Sequence, residues 1–503
     1  MSRVHRALDK LVELRSRLPR IEVFLLILVV AHVVLKVILY PQVMDAKLIG
    51  DETSYVNGGR AFSNAVRDLV AGGGVDVAEL QRNVISSGWF MPGMMLLLTP
   101  LFIVDPDASL SMIRGYLGVC STLILLLAVQ VVRRNLGDRY AVALLIFPGL
   151  VPMWLLFSFA AWGDLTAGLI AVIFLAFLVP VLRRIRSGEG IVWRDGLQLG
   201  LLAIAVVYFR SSASVLAVGL CLVVGLVILG SLRGKVRLRS FGAMVVAGVA
   251  FVAVLVPWSI AASQTLDSRV LTTTSVANGT ANTFGDRRQV CFGPCDPGST
   301  LWFAPVRYSR EVGRATGLGE VEVQEQMSAF ARSEVTAQSY SSQVLANFGS
   351  YLFKPAGFAI HLQPPNSGQN LPYWLIAIST NLMFFPMLAG AVLMMLGIFR
   401  TSFDNRFLSL LLTLGLGSLA LQPFLHVAGA RYWTTAAPML AMATVLLGGE
   451  LLARKRGHRE ALQPASENHR GDVVLAKWLD RAQGALAVGL VLMVAGLMIL
   501  AAL

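Results

Sequence analysis

The stretch IEVFLLILVVAHVVLKVILY, Ile21–Tyr40, decides the fold of this chain. A helix rises about 1.5 Å per residue, so a run of this length reaches roughly 30 Å, the thickness of a bilayer's hydrocarbon core. Arg3, Arg6, Lys10, Arg15, Arg17 and Arg20 lie ahead of it. The run is too long for the apolar region of a cleavable signal and no small-residue cleavage site follows, so it is expected to stay as an anchor. Lys36 near its end is expected to snorkel to the interface.

Outward from this run the pattern repeats. Apolar runs lie near 108–131, 139–157, 163–182, 196–209, 212–230, 241–261, 372–399, 405–426, 433–452 and 483–503, which with 21–40 makes about eleven spans. The piece from Phe90 to Val104 is shorter and is broken by Pro92, Gly93 and Pro100, so a re-entrant or interfacial placement is expected. The 503 residues are 56% hydrophobic and 14% charged. Those proportions point to one polytopic, all-α membrane domain and exclude a string of soluble ones.

The net charge of +13 follows the membrane. Basic clusters at Arg133/Arg134, 183–186, 233–239 and 454–459 fall in alternate loops, which by the positive-inside rule sets a basic cytoplasmic N-terminus at 1–20. No nucleic-acid partner is expected. The same threading leaves two large outer segments, 41–107 with eight acids against four bases and 263–371 with eight of each. The expected order is a first core at 21–262, an outer cap at 263–371 with a helix at 319–339, and a second core at 372–452. A cytoplasmic linker at 453–482 and an appended final anchor at 483–503 complete it. No internal repeat is visible, which weighs against repeat-built transporters.

Of the four cysteines, Cys120 and Cys221 lie in spans. Cys291 and Cys295 form CFGPC in the second outer segment, where a disulfide fits an oxidising compartment and a metal pair is the weaker reading.

Ionisable groups at membrane depth are costly and each is a functional candidate. Arg114, Asp164, Arg210 and Arg431 all fall near the outer ends of their spans, and the three arginines together would make a basic pocket for an anion such as a phosphate headgroup. Asp164 could instead serve only to neutralise one of them. In GDETSYVNGGRAF, Gly50–Phe62, the adjacent Asp51 and Glu52 precede Tyr55 and Arg60 in a short juxtamembrane helix. Asp51 and Tyr55, four apart, share a helix face. One reading makes Asp51 a general base, because an acceptor hydroxyl needs a carboxylate to take its proton as it attacks. The other makes the acids a helix N-terminal cap. Two adjacent acids could hold Mg²⁺ or Mn²⁺ through waters, though nothing in the sequence fixes a metal.

The order of these features resembles the GT-C fold glycosyltransferases that use polyprenyl-phosphate sugars, a group including protein O-mannosyltransferases and lipid A aminoarabinose transferases. The resemblance extends over roughly residues 20–450. GDETSY is similar to the family's first-loop acid motif. GWFMPGMMLLLTPLFIVDPDASLSMIRGYLG resembles its Pro-Gly segment and following arginine, here Pro92, Gly93 and Arg114. SFAAWGDLTAGL and AVVYFRSSASVL put Asp164 and Arg210 where relatives carry an acid and a base. VPWSIAASQTLDSRVLTTTSVANGTANTFGD resembles the Pro-Trp span end and the polar loop after it, and GARYWTTAAPMLAMATVLL resembles the Arg-Tyr and downstream proline, here Arg431 and Tyr432.

The resemblance implies a GT-C-like bundle with juxtamembrane helices in the first outer loop, in the cytoplasmic membrane of a bacterium. The implied activity is transfer of a sugar from a polyprenyl-phosphate donor to a hydroxyl of a lipid, glycan or protein acceptor, with inversion. Asp51 is the expected base, and Glu52 is expected to orient the acceptor or bind a cation. Tyr55 would support them, while Arg60, Arg114, Arg210, Arg431 and Tyr432 would hold donor phosphate or substrate and Asp164 would orient an arginine. Ala261 and Ala262 stand where relatives carry Arg-Asn, and Lys354 in FGSYLFKPAGF is the candidate substitute. The rivals are a lipid-linked glycan ligase or polymerase, whose catalytic histidine would have to be His361, and a transporter of an anionic lipid, whose site would lie near the midplane.

Overall fold

A computed structural model describes residues 20–286, 312–364, 366–397, 402–426, 429–455 and 469–502. Cys291, Cys295, residues 1–19 of the basic N-terminal arm and residues 456–468 of the expected linker lie outside these residues. Among the described residues the chain is all helical with no strand, and nine helices are long and apolar enough to cross a membrane. The chain is thus a multi-pass helical membrane protein in its architecture.

The first half runs α1 (Arg20–Leu39), α2 (Asp51–Val70), α3 (Gly93–Val104), α4 (Leu110–Leu136), α5 (Asp138–Ile146), α6 (Pro152–Phe157), α7 (Gly163–Arg186), α8 (Trp193–Phe209), α9 (Ser214–Ser231) and α10 (Gly234–Leu266). Three shorter helices follow, α11 (Ser275–Phe284), α12 (Glu320–Ala331) and α13 (Ala337–Phe353). The bundle closes with α14 (Leu371–Leu396), α15 (Phe403–Leu419), α16 (Trp433–Lys455) and α17 (His469–Ala502). The most enclosed span is α7, with 83% of its apolar window buried. It packs against α4, α8, α9, α15 and α16.

Two of the eleven expected runs are not full-length spans. The run 139–157 is split into α5 and α6, because Pro148 has no N–H for the ladder and Pro152 starts a new helix. The run 196–209 belongs to α8, which has 17 residues. The Phe90–Val104 piece forms α3, whose 12 residues fall short of a crossing.

Two buried side chains of α1 hold it to its neighbours, one at the break between α5 and α6 and one on α4. His32 Nδ1 donates to the Gly149 carbonyl at 2.6 Å. Lys36 does not snorkel. It is 6% exposed, and its ammonium donates to Gly118 O at 2.6 Å, Ser121 Oγ at 2.8 Å and Thr122 Oγ1 at 2.9 Å.

The expected 319–339 helix is instead α12 followed by α13, which Thr336 caps by accepting from the Ser339 N–H. Tyr340 donates to Phe424 O at 2.8 Å and Asn347 to Pro423 O at 2.9 Å, so α13 is strapped onto the turn after α15. The final helix is no loose appendage. Arg406 on α15 pairs with Asp480 at 3.0 Å, and the Gln483 amide donates to Met395 O and Thr413 Oγ1, both at 2.9 Å.

Candidate active site

Several helix ends meet around one cavity of about 700 Å³. It is lined by the start of α2, the start of α7, the joint between α8 and α9, the turn after α15 and the residues just before α16. The basic stretches Arg133/Arg134, Arg183–Arg186 and Arg454/Lys455 sit at the opposite ends of α4, α7 and α16, so the cavity opens at the end of the bundle away from them.

Gly50 introduces α2 with a φ of +53°, a conformation that disfavours a side chain and turns the chain sharply into the helix. Asp51 and Glu52 then occupy the first turn, at the positive end of the helix dipole. Their side chains part company there. Asp51 faces the cavity and accepts from Arg431 Nη2 at 2.5 Å. Glu52 is fully buried beside Arg114, which donates to both of its oxygens. The same oxygens accept the N–H groups of Ala161 at 2.8 Å and Ile49 at 3.0 Å.

That arrangement corrects two expectations. Glu52 has no oxygen turned to the cavity, so it neither faces an acceptor nor joins Asp51 as a cation-binding pair. Arg114 is neutralised inside the protein and donates further to Ala46 O, Lys47 O and Phe159 O, which ties the loop before α2 to the segment leading into α7. Among the described residues no group of three or more His, Cys, Asp or Glu could hold a metal ion. With both Glu52 oxygens taken by Arg114, Ala161 and Ile49, the two adjacent acids do not present a shared carboxylate pair to one cation.

Asp164 and Arg210 form a second ion pair inside the cavity, and Arg431 Nε lies 4.0 Å from the other Asp164 oxygen. Arg210 also donates to Gln422. The cavity wall thus carries two carboxylates against two guanidiniums, and the expected basic pocket is charge-balanced. Aromatic rings hold the cations in place. Arg210 Cζ stands 4.5 Å from the Tyr432 ring centre, and Arg431 Cζ 4.9 Å from that of Trp162 and 5.0 Å from that of Tyr432. Burial opposes the charge on Arg431, but Tyr432 and Asp51 beside it more than offset this and raise its pKa. Burial, with Asp51 nearby, pushes the Tyr55 hydroxyl up, so it stays a neutral donor.

Of the residues singled out in the sequence, Asp51, Tyr55, Asp164, Arg210, Arg431 and Tyr432 line the cavity. Arg60 does not; its guanidinium lies 5.1 Å from the Phe102 ring centre. Lys354 is exposed at the end of α13 and is absent from the cavity wall. The sequence reading missed Trp162, Gln422 and His426, which also line it. Trp162 was signalled by lying two residues before Asp164, and Gln422 by being a polar residue ahead of a proline at the end of an apolar run.

Fold and site together define a class, a multi-pass helical membrane protein with an aromatic, ion-paired cavity where its helix ends meet. No family model, no curated protein and no solved structure matches the chain.

Proposed function

We propose that this chain is a membrane glycosyltransferase that moves a sugar from a polyprenyl-phosphate donor to a hydroxyl of a lipid, glycan or protein, with the cavity open to the outer face of a bacterial cytoplasmic membrane. The observation that carries this reading is convergence: Asp51, Asp164, Arg210 and Arg431, drawn from four distant parts of the chain, line one cavity with a wall of aromatic rings.

In the proposed reaction the acceptor oxygen forms a bond to the anomeric carbon while the bond from that carbon to the donor phosphate oxygen breaks. Polyprenyl phosphate leaves with the electron pair, and the acceptor proton passes to Asp51. Arg431 and Arg210 stabilise the departing charge. Each arginine already has a carboxylate partner, so the donor phosphate must take Arg431 from Asp51 as it binds. That exchange frees the Asp51 oxygen for the acceptor hydroxyl and couples donor binding to activation of the base. Trp162 and Tyr55 line the cavity where the sugar would sit.

The cavity's position favours this over an anionic-lipid transporter, since its charged residues sit at helix ends and not at mid-depth. The test uses purified protein with a radiolabelled polyprenyl-phosphate sugar and extracted envelope acceptors, comparing wild type with Asp51→Asn. Label transfer by wild type and its loss in the variant is the expected result. Equal transfer in both removes Asp51 as base, and lipid movement in vesicles without donor consumption favours the transporter.

A further inference from the structure

A second cavity, of about 570 Å³, lies at the other end of the bundle, among the ends of α4, α7 and α16 and the starts of α5 and α15. Its polar wall includes Asn135, Arg139, Tyr140, Arg183 and Asp404, and most of the rest is aliphatic. Arg183 is already matched, donating to Asp404 at 2.5 Å. Arg139 is not: among the described residues no carboxylate lies within ion-pair distance of it. Its guanidinium lies 5.0 Å from the Tyr140 ring centre and against Gly449, where a Cβ would come within 2.7 Å of Nη1. A side chain at 449 would have to displace the tip of this guanidinium.

Tyr140 adds an independent signal. The residue is 2% exposed, and its buried hydroxyl has only the Arg139 guanidinium beside it. The Arg139 guanidinium beside it can only donate, so the hydroxyl proton has no acceptor. A buried donor without an acceptor is destabilising, and an anion bound in the cavity would relieve it. The wall therefore offers a guanidinium without a carboxylate partner and a hydroxyl proton without an acceptor to something rich in acceptor oxygens.

We infer that this cavity binds a phosphate-bearing anion, seated on Arg139 and Tyr140. Two sources share that chemistry, the headgroup of an anionic phospholipid and a soluble phosphoester. The surrounding basic residues at 133–134, 183–186 and 454–455 would draw either toward this end of the bundle. The inference is independent of the transferase reading, because no residue is shared between the two cavities.

The test uses the full chain in detergent micelles. Native mass spectrometry would follow retention of phosphatidylglycerol against phosphatidylcholine, and thermal melting would follow binding of soluble glycerol phosphate. Retention of phosphatidylglycerol over phosphatidylcholine, cut about tenfold by Arg139→Gln, by the loss of one charge-assisted contact, supports a lipid headgroup. A rise in melting temperature with glycerol phosphate, absent in Arg139→Gln, supports the soluble source. Gly449→Val should block either ligand, and since it could also disturb packing, Arg139→Gln on the exposed rim is the deciding variant. Arg134→Gln, outside the cavity wall, should lose far less binding than Arg139→Gln. The inference is overturned if neither probe binds, if Arg139→Gln binds unchanged, or if Arg134→Gln loses as much as Arg139→Gln.

Discussion

Arg431 Nη2 donates to Asp51 Oδ2 at 2.5 Å, joining residues 380 positions apart in the chain. The side chains are 15% and 31% exposed, so the pair sits at the cavity wall with access for a ligand. Asp51 is the accessible member of the pair, and Arg431 keeps the Asp164 carboxylate 4.0 Å from its Nε when Asp51 is neutralised, so the value of the pair lies in what can displace it. Replacing Asp51 with Asn should therefore leave the melting temperature near wild type while lowering sugar transfer by about 10²–10⁴-fold, the range for loss of a general base. Transfer and melting measured on the same preparation separate the two effects. A large fall in melting temperature would make Asp51 a structural residue.

Replacing Arg431 with Lys tests the other half of the pair. Lysine keeps the charge but loses the planar fork that can grip an anion in two places and stack on Trp162 and Tyr432. Donor retention should fall while folding persists, read as a higher donor concentration for half-maximal transfer. Unchanged half-saturation would remove Arg431 from donor binding.

The Glu52–Arg114 pair should behave in the opposite way. Both side chains are fully buried, so Glu52→Gln leaves a guanidinium without its countercharge. Loss of one partner from such a pair costs about 3–5 kcal/mol, which should appear as a marked drop in melting temperature followed by tryptophan fluorescence in micelles. Melting at the wild-type temperature would show that the pair does not hold the loop before α2 against α7.

The sequence carried the identity of these charges but not their pairing. Asp51, Asp164, Arg210 and Arg431 were legible because ionisable residues at the ends of apolar runs are rare and costly. Asp51 and Glu52 are consecutive, and consecutive helical residues point about 100° apart. Which one meets Arg431 and which Arg114 depends on how α2 is rotated against α4 and α7, and local sequence does not encode that rotation. The same holds for Lys36, whose fate rested on the carbonyl and hydroxyls that α4 presents to it. The all-helical membrane architecture was legible from apolar runs alone. The break between α5 and α6 was not, because the apolar content of 139–157 outweighed Pro148 and Pro152 in a reading by run length.

Tyr351 gives a pH prediction. It is buried beside Tyr432, and burial pushes its hydroxyl up to about 12 from the ordinary value near 10, with Arg210 pulling the other way. A tyrosine whose folded pKa is raised stabilises the fold fully below its unfolded value, and that contribution is lost as pH rises through the folded one. Stability should therefore decline between about pH 10 and 12, and Tyr351→Phe should flatten part of that decline. Ultraviolet absorbance of tyrosinate alongside melting would check both. The same slope in the variant would assign the loss to other groups.

Gly163 tests how closely the site depends on backbone contact. It opens α7 one residue before Asp164, and a Cβ there would lie 2.0 Å from the Phe209 carbonyl oxygen, which immediately precedes Arg210. Because the obstacle is backbone and not a flexible side-chain tip, Gly163→Ala must push the start of α7 away from the end of α8. That shift acts directly on the two residues that pair across the cavity, Asp164 and Arg210. A displacement of about 1 Å at a reacting centre can lower a rate by on the order of 10²-fold. Transfer should therefore collapse in Gly163→Ala, whereas Gly219→Ala, on α9 with open space around its Cβ position, should transfer at the wild-type rate. Matched activity in the two variants would mean that the contact between α7 and α8 does not set the cavity's geometry.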